Sequence, residues 1–437
     1  MTGADGADDA AEIARSSALL DGAPIPSKSG ATVQQQKIET ANGDDHKGLR
    51  KPLALRADIL AALDQVLRDI GLVGERRAAR LLYLAVTSRV LPRIVSIAVK
   101  GPSSVGKSEL VKKVLALFPE EAAYGLTSMS EKALIYDDEP LQHRMLVIYE
   151  WAAVSSEFQS YLVRTLLSEG RLIHPVTVKG ADGQFSTVTI EREGPTGLLV
   201  TTTGTDLHPE NETRMLSVGV SDSTEQTRAI LRAQAEDAQG ERPPHVDLEP
   251  WRALQRDIGA AVPANVRIPF ATKLAELVPP AALRLRRDFP TILSLIQAHA
   301  VLHRATRECD GAGAIVATVA DYAACYGLVA DLVSEGVDGT VSGTVRETVD
   351  AVRAFREEHK SAPSVTELAK ALGLHKSSVS RRVNVARGRG YLKNGVTKAG
   401  LEARLVLGEP LPDAVEVLPT PGRLAEVLRC CSDFQVV

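Results

Sequence analysis

"IVSIAVKGPSSVGKSELVKKVLALF", Ile94 to Phe118, decides the fold. Its opening "IVSIAVK" is rich in β-branched residues and suits a buried strand, while "KSELVKKVLALF" repeats its apolar residues at helical spacing. Between them "GPSSVGKS", Gly101 to Ser108, fits G-x-x-x-x-G-K-[ST] in full, in the strand, loop and helix setting that the motif requires. Gly101 and Gly106 let the backbone curl through Pro102, Ser103, Ser104 and Val105 so that its N–H groups face phosphates, and the helix N-terminus adds a favourable dipole. Lys107 then reaches β and γ phosphates and Ser108 supplies a metal ligand, so ATP and Mg²⁺ are the expected cofactors.

Downstream, "MLVIYEW", Met145 to Trp151, is a second apolar strand that ends in Tyr149 and Glu150. A site of this kind holds its metal with an acid at the end of such a strand, often followed by a glutamate that orients the attacking water. Glu150 is therefore the candidate catalytic residue. Tyr149 stands where the metal-binding carboxylate is expected, and a neutral phenol is a poor Mg²⁺ ligand. "ALIYDDE" offers a competing register that ends in Asp137, Asp138 and Glu139. Its lead-in begins like a helix capped by Ser130, so the later strand is preferred, with Asp137 and Asp138 kept as further candidate metal ligands.

Further strands are expected at "GLLVTTT" and in the hairpin "HPVTVKGADGQFSTVTIERE", which turns at Gly180 to Gly183. Strands alternating with helices argue for a parallel α/β sheet. The expected organisation is a disordered, Ala/Gly/Ser-rich tail over 1–50, a helical preface over 51–93, the α/β core over 94–228, a helical lid region over 229–340, a basic module over 344–408 and a Pro-bearing tail with a short last helix over 409–437. His299 and His303 share an i, i+4 helix face with no acidic base between them, so a packed or surface pair is preferred to zinc.

The order phosphate loop, strand with Glu150, helix, hairpin, polar-tipped strand and arginine resembles the AAA+ ATPase module, in the branch of MCM-like and superfamily 3 helicases. The resemblance covers about residues 70–335. It implies a ring of like subunits in which the hairpin grips single-stranded DNA through Lys179. Thr202 is the sensor matched in "LLVTTTGT", ahead of Thr201 and Thr203. Arg214 in "NETRML" matches the arginine finger given to a neighbouring subunit. In "RLRRDFPTILSLIQAHAVLHR", Arg287, with Arg284 second, matches the lid arginine that senses the γ phosphate, and Pro290 is expected to interrupt that helix. The wording "SEKALIYDDEPLQHRMLVIYEW" also resembles ATPases of bacterial phages and mobile elements.

"SVTELAKALGLHKSSVSRRVNVARGRGYLKN" reads as helix, Gly373 turn, helix and wing, a winged helix-turn-helix similar to the MarR type and to those that close MCM-like chains. Residues 363–407 carry nine Lys or Arg against two acids, a local charge of +7 in a chain whose net charge is only -4. Lys376, Ser377, Ser378, Ser380 and Arg381 are the expected groove residues, and Arg387, Arg389 and Lys393 the expected phosphate contacts on a DNA duplex. Four cysteines without zinc or disulfide spacing, no secretory signal and no apolar run of membrane length fit a cytoplasmic protein with no membrane partner. The leading expectation is an ATPase acting as a DNA helicase or translocase in replication of a phage or mobile element. An ATP-controlled DNA-binding switch and a helicase loader are the alternatives.

Overall fold

The computed structural model describes residues 52–151, 154, 156–179, 184–203, 209–240, 246–279, 284–336, 343–396, 403–411 and 417–430. The tail expected over 1–50 and the hairpin turn at 180–183 lie outside these residues. The strands Ile173–Glu191 form one compact unit, and residues 52–172 together with those from 192 onward form another.

In the larger unit, α1 (Ile59–Asp69) starts where the Asp58 carboxylate accepts the Ala61 N–H at 2.8 Å. Ile59, Leu63, Val66 and Leu67 bury one face of it. The next helix, α2 (Arg76–Thr87), buries an unbroken run from Leu81 to Thr87, so it cannot lie at a surface. The sheet follows: β1 (Ile97–Lys100), α3 (Lys107–Leu115), β2 (Ala123–Leu126), α4 (Ala133–Tyr136), β3 (Arg144–Ile148), α5 (Glu157–Glu169), the hairpin strands β4 (Arg171–Lys179) and β5 (Phe185–Glu193), β6 (Thr196–Thr202), α6 (Pro209–Glu212) and β7 (Leu216–Gly219). Five strands in the order β2-β3-β6-β1-β7 pair in parallel throughout. As expected of a sheet covered on both faces, Met145 to Ile148 and all of β6 are buried.

After α7 (Thr224–Ala238), which buries no residue, come α8 (Glu249–Gly259), β8 (Val266–Arg267), α9 (Ala271–Leu277), α10 (Leu285–Leu302), β9 (Ile315–Val316) and α11 (Val319–Gly336). The two-residue strands β8 and β9 pair in parallel, a feature too short to leave a sequence pattern. Contrary to expectation, Pro290 does not interrupt α10: it is the sixth residue, where its missing N–H removes a single bond near the helix start. The preface helices share one hydrophobic core with the sheet and with the helices over 249–336. Gln255 of α8 ties them together, donating to Tyr83 Oη at 2.9 Å and accepting from Arg89 at 2.8 Å.

His299 and His303 are both buried, with ring centroids 4.6 Å apart. Asp321 receives His299 at 2.6 Å and Arg307 through two bonds at 3.0 and 2.6 Å. Burial pushes the Asp321 carboxyl up, but these donors and Thr318 hold it well below the usual range. Neither ring nitrogen of His303 has a partner, and burial, then the charges of His299 and Arg307, lowers its pKa to about 4. The unfolded chain takes up that proton near pH 6.5, so stability is full above pH 6.5 and falls as pH drops toward 4. The loss reaches about 3 kcal/mol at roughly 1.4 kcal/mol per unit. Denaturant midpoints measured from pH 7 to 4.5 should show it, and His303→Leu should flatten the slope.

Farther along lie α12 (Gly343–His359), α13 (Val365–Leu372), α14 (Lys376–Gly388) and the antiparallel wing of β10 (Leu392–Asn394) and β11 (Leu405–Leu407). They close a second small core around Val349, Leu368, Val379, Val383 and Leu392. Ser364 and Glu367 form a capping box at the start of α13, and Gly373, at φ 64°, ends it in the left-handed region that glycine tolerates. The last helix, α15 (Pro421–Cys430), returns to the main core through Leu424 and Leu428, and Tyr322 Oη donates to Pro419 O at 2.5 Å.

Candidate functional site

The phosphate loop leaves the end of β1 at Gly101 and enters α3 at Lys107. Ser104 (φ 64°) and Gly106 (φ 94°) take positive φ, the curl that the motif's residues lead one to expect. Nothing lies within 4 Å of where a Gly106 Cβ would stand, and Ser103, Ser104 and Ser108 are exposed, so the backbone cradle is open. Lys107 is 6% exposed and donates to Gly101 O at 3.0 Å and Pro102 O at 2.9 Å, folded over its own loop. Burial lowers its pKa, and the Glu150 charge opposes that shift. An ammonium bonded to two carbonyls over an open loop fits the triphosphate and Mg²⁺ that the motif implies.

Glu150 stands two residues past β3 at φ 75°, an unusual conformation for a residue with a side chain. Its N–H donates to Thr201 Oγ1 at 2.9 Å. Thr201, not the matched Thr202, is therefore the hydroxyl in contact with Glu150; Thr202 is fully buried on the opposite pleat of β6, and Thr203 follows the strand end. Sequence alone left three consecutive threonines to choose from, and only the pairing of β3 with β6 separates them.

The Tyr149 ring packs against the main core and lies 3.6 Å from where a Gly125 Cβ would stand. Burial raises its pKa, so it stays a neutral phenol. Tyr149→Phe should change ATP turnover by less than about twofold, because this geometry asks only for the ring; a steady-state comparison at several Mg²⁺ concentrations checks it.

Asp137 and Asp138 are not brought to Ser108. Asp137 accepts the Tyr124 hydroxyl at 2.6 Å and the Glu139 N–H at 3.1 Å, while Glu139 pairs with Arg144, the first residue of β3. Burial pushes the Asp137 carboxyl up, but those bonds and the charge of Arg192 hold it low. The whole of β3, roughly 20 Å from Arg144 to Glu150 at 3.3 Å per residue, separates this acidic turn from the catalytic end. Asp138 is exposed beside it. Among the described residues no group of three or more His, Cys, Asp or Glu is placed to hold a metal.

Arg214 and Arg287 meet at the other end of the sheet. Arg214 Nε donates to Ser168 Oγ at 2.8 Å and Arg287 to Thr213 Oγ1 at 2.8 Å. Both line a cavity of about 570 Å³ with Arg93 and with Ser96, the residue just before β1. Since Gly101 follows β1, the length of that strand, roughly 15 Å, divides this cavity from the chain's own phosphate loop. Arg284 is tied to Asp288 at 3.1 Å, whereas Arg287 lines the cavity.

In the hairpin unit, Lys179 sits with its Nζ 5.9 Å from the Phe185 ring centroid. In the winged module, Lys376, Ser377, Arg381, Arg387, Arg389 and Lys393 are exposed and Ser380 is partly so. Ser378 is a correction: it is 5% exposed, and its hydroxyl donates to the Asp222 carboxylate, so it does not face a groove. Its neighbours in the turn are engaged too. Gly373 O accepts the Thr224 N–H at 3.2 Å and its hydroxyl at 3.0 Å, and Leu374 forms an antiparallel bridge with Ser223. Asp222 lies two residues beyond Val220, whose Cβ is 3.7 Å from where a Gly101 Cβ would stand. Nothing in the sequence flagged Asp222.

Fold and site together define a parallel α/β P-loop module followed by a winged helix-turn-helix domain. Residues 56–258 match the MTBMA_p00010 P-loop domain, and residues 345–394 match the IclR helix-turn-helix domain. The chain is similar to a full-length MCM homolog from Methanopyrus kandleri at 14% identity and a TM-score of 0.36, over 61% of this chain and 57% of that one. It is also similar to NtrX from Brucella abortus, solved in complex with ATP, at 13% identity and a TM-score of 0.26, over 74% of this chain and 72% of that one. The match thus spans little more than half the length of the MCM homolog. No curated protein matches. No helix among the described residues is long and apolar enough to cross a membrane.

Proposed function

We propose that the chain is a cytoplasmic ATP-hydrolysing motor that assembles as a ring of like subunits and translocates on or unwinds DNA during replication of a phage or mobile element. The observation that carries this reading is the arginine cavity. Arg214 and Arg287 lie a strand length away from their own phosphate loop, where they would serve a nucleotide held by an adjacent copy.

In this reading the N–H groups of Gly101 to Gly106 and Lys107 bind the phosphates and Ser108 holds Mg²⁺. Bound there, ATP supplies the reactive phosphoanhydride and Mg²⁺ neutralises its charge. Glu150 accepts a proton from the attacking water, its backbone held by Thr201, with Thr202 proposed as the polar sensor behind it. Arg214 and Arg287 neutralise charge on the neighbour's transferring phosphoryl group. Lys179 contacts single-stranded DNA, and Ser377, Ser380, Arg381 and Lys376, flanked by Arg387, Arg389 and Lys393, contact a duplex.

Tyr149 favours a second reading, an ATP-controlled DNA-binding switch, because the strand end lacks the usual carboxylate. Forked DNA with ATP and Mg²⁺ separates the two. Strand displacement with DNA-stimulated hydrolysis supports the motor, whereas nucleotide-dependent assembly and duplex binding without displacement would leave the switch.

A further inference from the structure

Phe185 is the most exposed large apolar residue among those described, at 74%. It opens β5, which pairs with β4 in a two-stranded sheet, and its ring lies near Lys179 at the end of β4. Leaving an aromatic ring of that size in water forgoes the favourable transfer that folding ordinarily secures, so its position calls for an occupant.

Side chains alternate along each strand, and the closeness of Lys179 to Phe185 shows that their faces coincide. That face carries Pro175, Thr177 and Lys179 from β4 and Phe185, Thr187 and Thr189 from β5, each of them exposed. It presents a cation, an aromatic ring and hydroxyls, with no acid until Glu191 at its far end. An ammonium 5.9 Å from a ring centroid sets a positive charge beside a flat apolar surface. Single-stranded nucleic acid has the complementary pair, a phosphate next to an unstacked base.

We propose that Phe185 is a stacking platform for a base of single-stranded nucleic acid, with Lys179 meeting the adjoining phosphate. This rests on the single-strand part of the function proposed above and names the residue that does the gripping. Stacking of this kind tolerates any base, because every base has a π face, so the hairpin would hold a strand without reading its sequence.

The test uses the full chain and a single-stranded oligonucleotide carrying 2-aminopurine, whose fluorescence falls when the base stacks on an aromatic ring. Wild type should bind and quench. Phe185→Ala should bind about 5- to 150-fold more weakly and lose the quench, as expected for one base's stacking. Phe185→Trp should restore both, and duplex binding through the helix-turn-helix should stay the same in all three. Equal binding and quenching by Phe185→Ala overturns the proposal alone. A wild type that grips no single strand overturns the single-strand reading and this proposal with it, and capture of a peptide instead of a strand overturns it as well.

Discussion

Arg214→Ala should lower DNA-stimulated ATP turnover by about 10³- to 10⁵-fold, the range that an arginine finger supplies in phosphoryl transfer. The substitution should leave the fold intact, since Arg214 lines an open cavity and its bond to the Ser168 hydroxyl is exposed. Its decisive readout is a mixture with Lys107→Ala subunits. Each variant alone is inactive, but an interface that joins an intact phosphate loop from the first to an intact Arg214 from the second is complete. Mixing therefore restores a fraction of the activity if the arginine acts on a neighbour. An arginine that served its own chain would gain nothing from mixing, and that result would sink the ring reading.

Glu150→Gln should keep nucleotide binding while turnover falls by about 10²- to 10⁴-fold, the usual contribution of a positioned general base. The amide is the same size as the carboxylate, and the N–H bond from residue 150 to Thr201 Oγ1 involves only the backbone, so the left-handed turn persists. Lys107→Ala differs in kind. It removes the cation that now caps Gly101 O and Pro102 O, so binding is lost along with turnover. Equilibrium binding of a slowly hydrolysed ATP analogue distinguishes the two variants; equal loss of binding in both would remove Glu150 from the chemical step.

Much of this was legible in the sequence. The phosphate loop is a complete motif between two unambiguous elements, and the β-branched run before it and the apolar periodicity after it each permit one structure. The winged module was readable for the same reason: Leu368, Val379 and Val383 repeat at helical spacing around Gly373, and all three are buried. What stayed hidden depends on partners far along the chain. Ser377 and Ser378 are adjacent and chemically identical, yet they point about 100° apart on a helix, and only contact with Asp222 decides which is withdrawn. Thr201 and Thr202 are split in the same way by a strand pleat. Pro290 looked like a break because its cost depends on distance from the helix start, which the sequence leaves uncertain by a turn.

The contacts that Asp222, Ser223 and Thr224 make with Ser378, Leu374 and Gly373 bear on how the two domains are interchanged. A helix-turn-helix grafted from another protein would have to bring a residue at ease with positive φ at position 373, so that its carbonyl meets Thr224, and a hydroxyl at position 378. A turn glycine is common in this motif, but DNA binding by itself does not require the buried hydroxyl at position 378. Domain exchange is then a fitting problem at six residues, and a chimera that ignores them carries an unpaired Asp222 at the edge of the nucleotide loop.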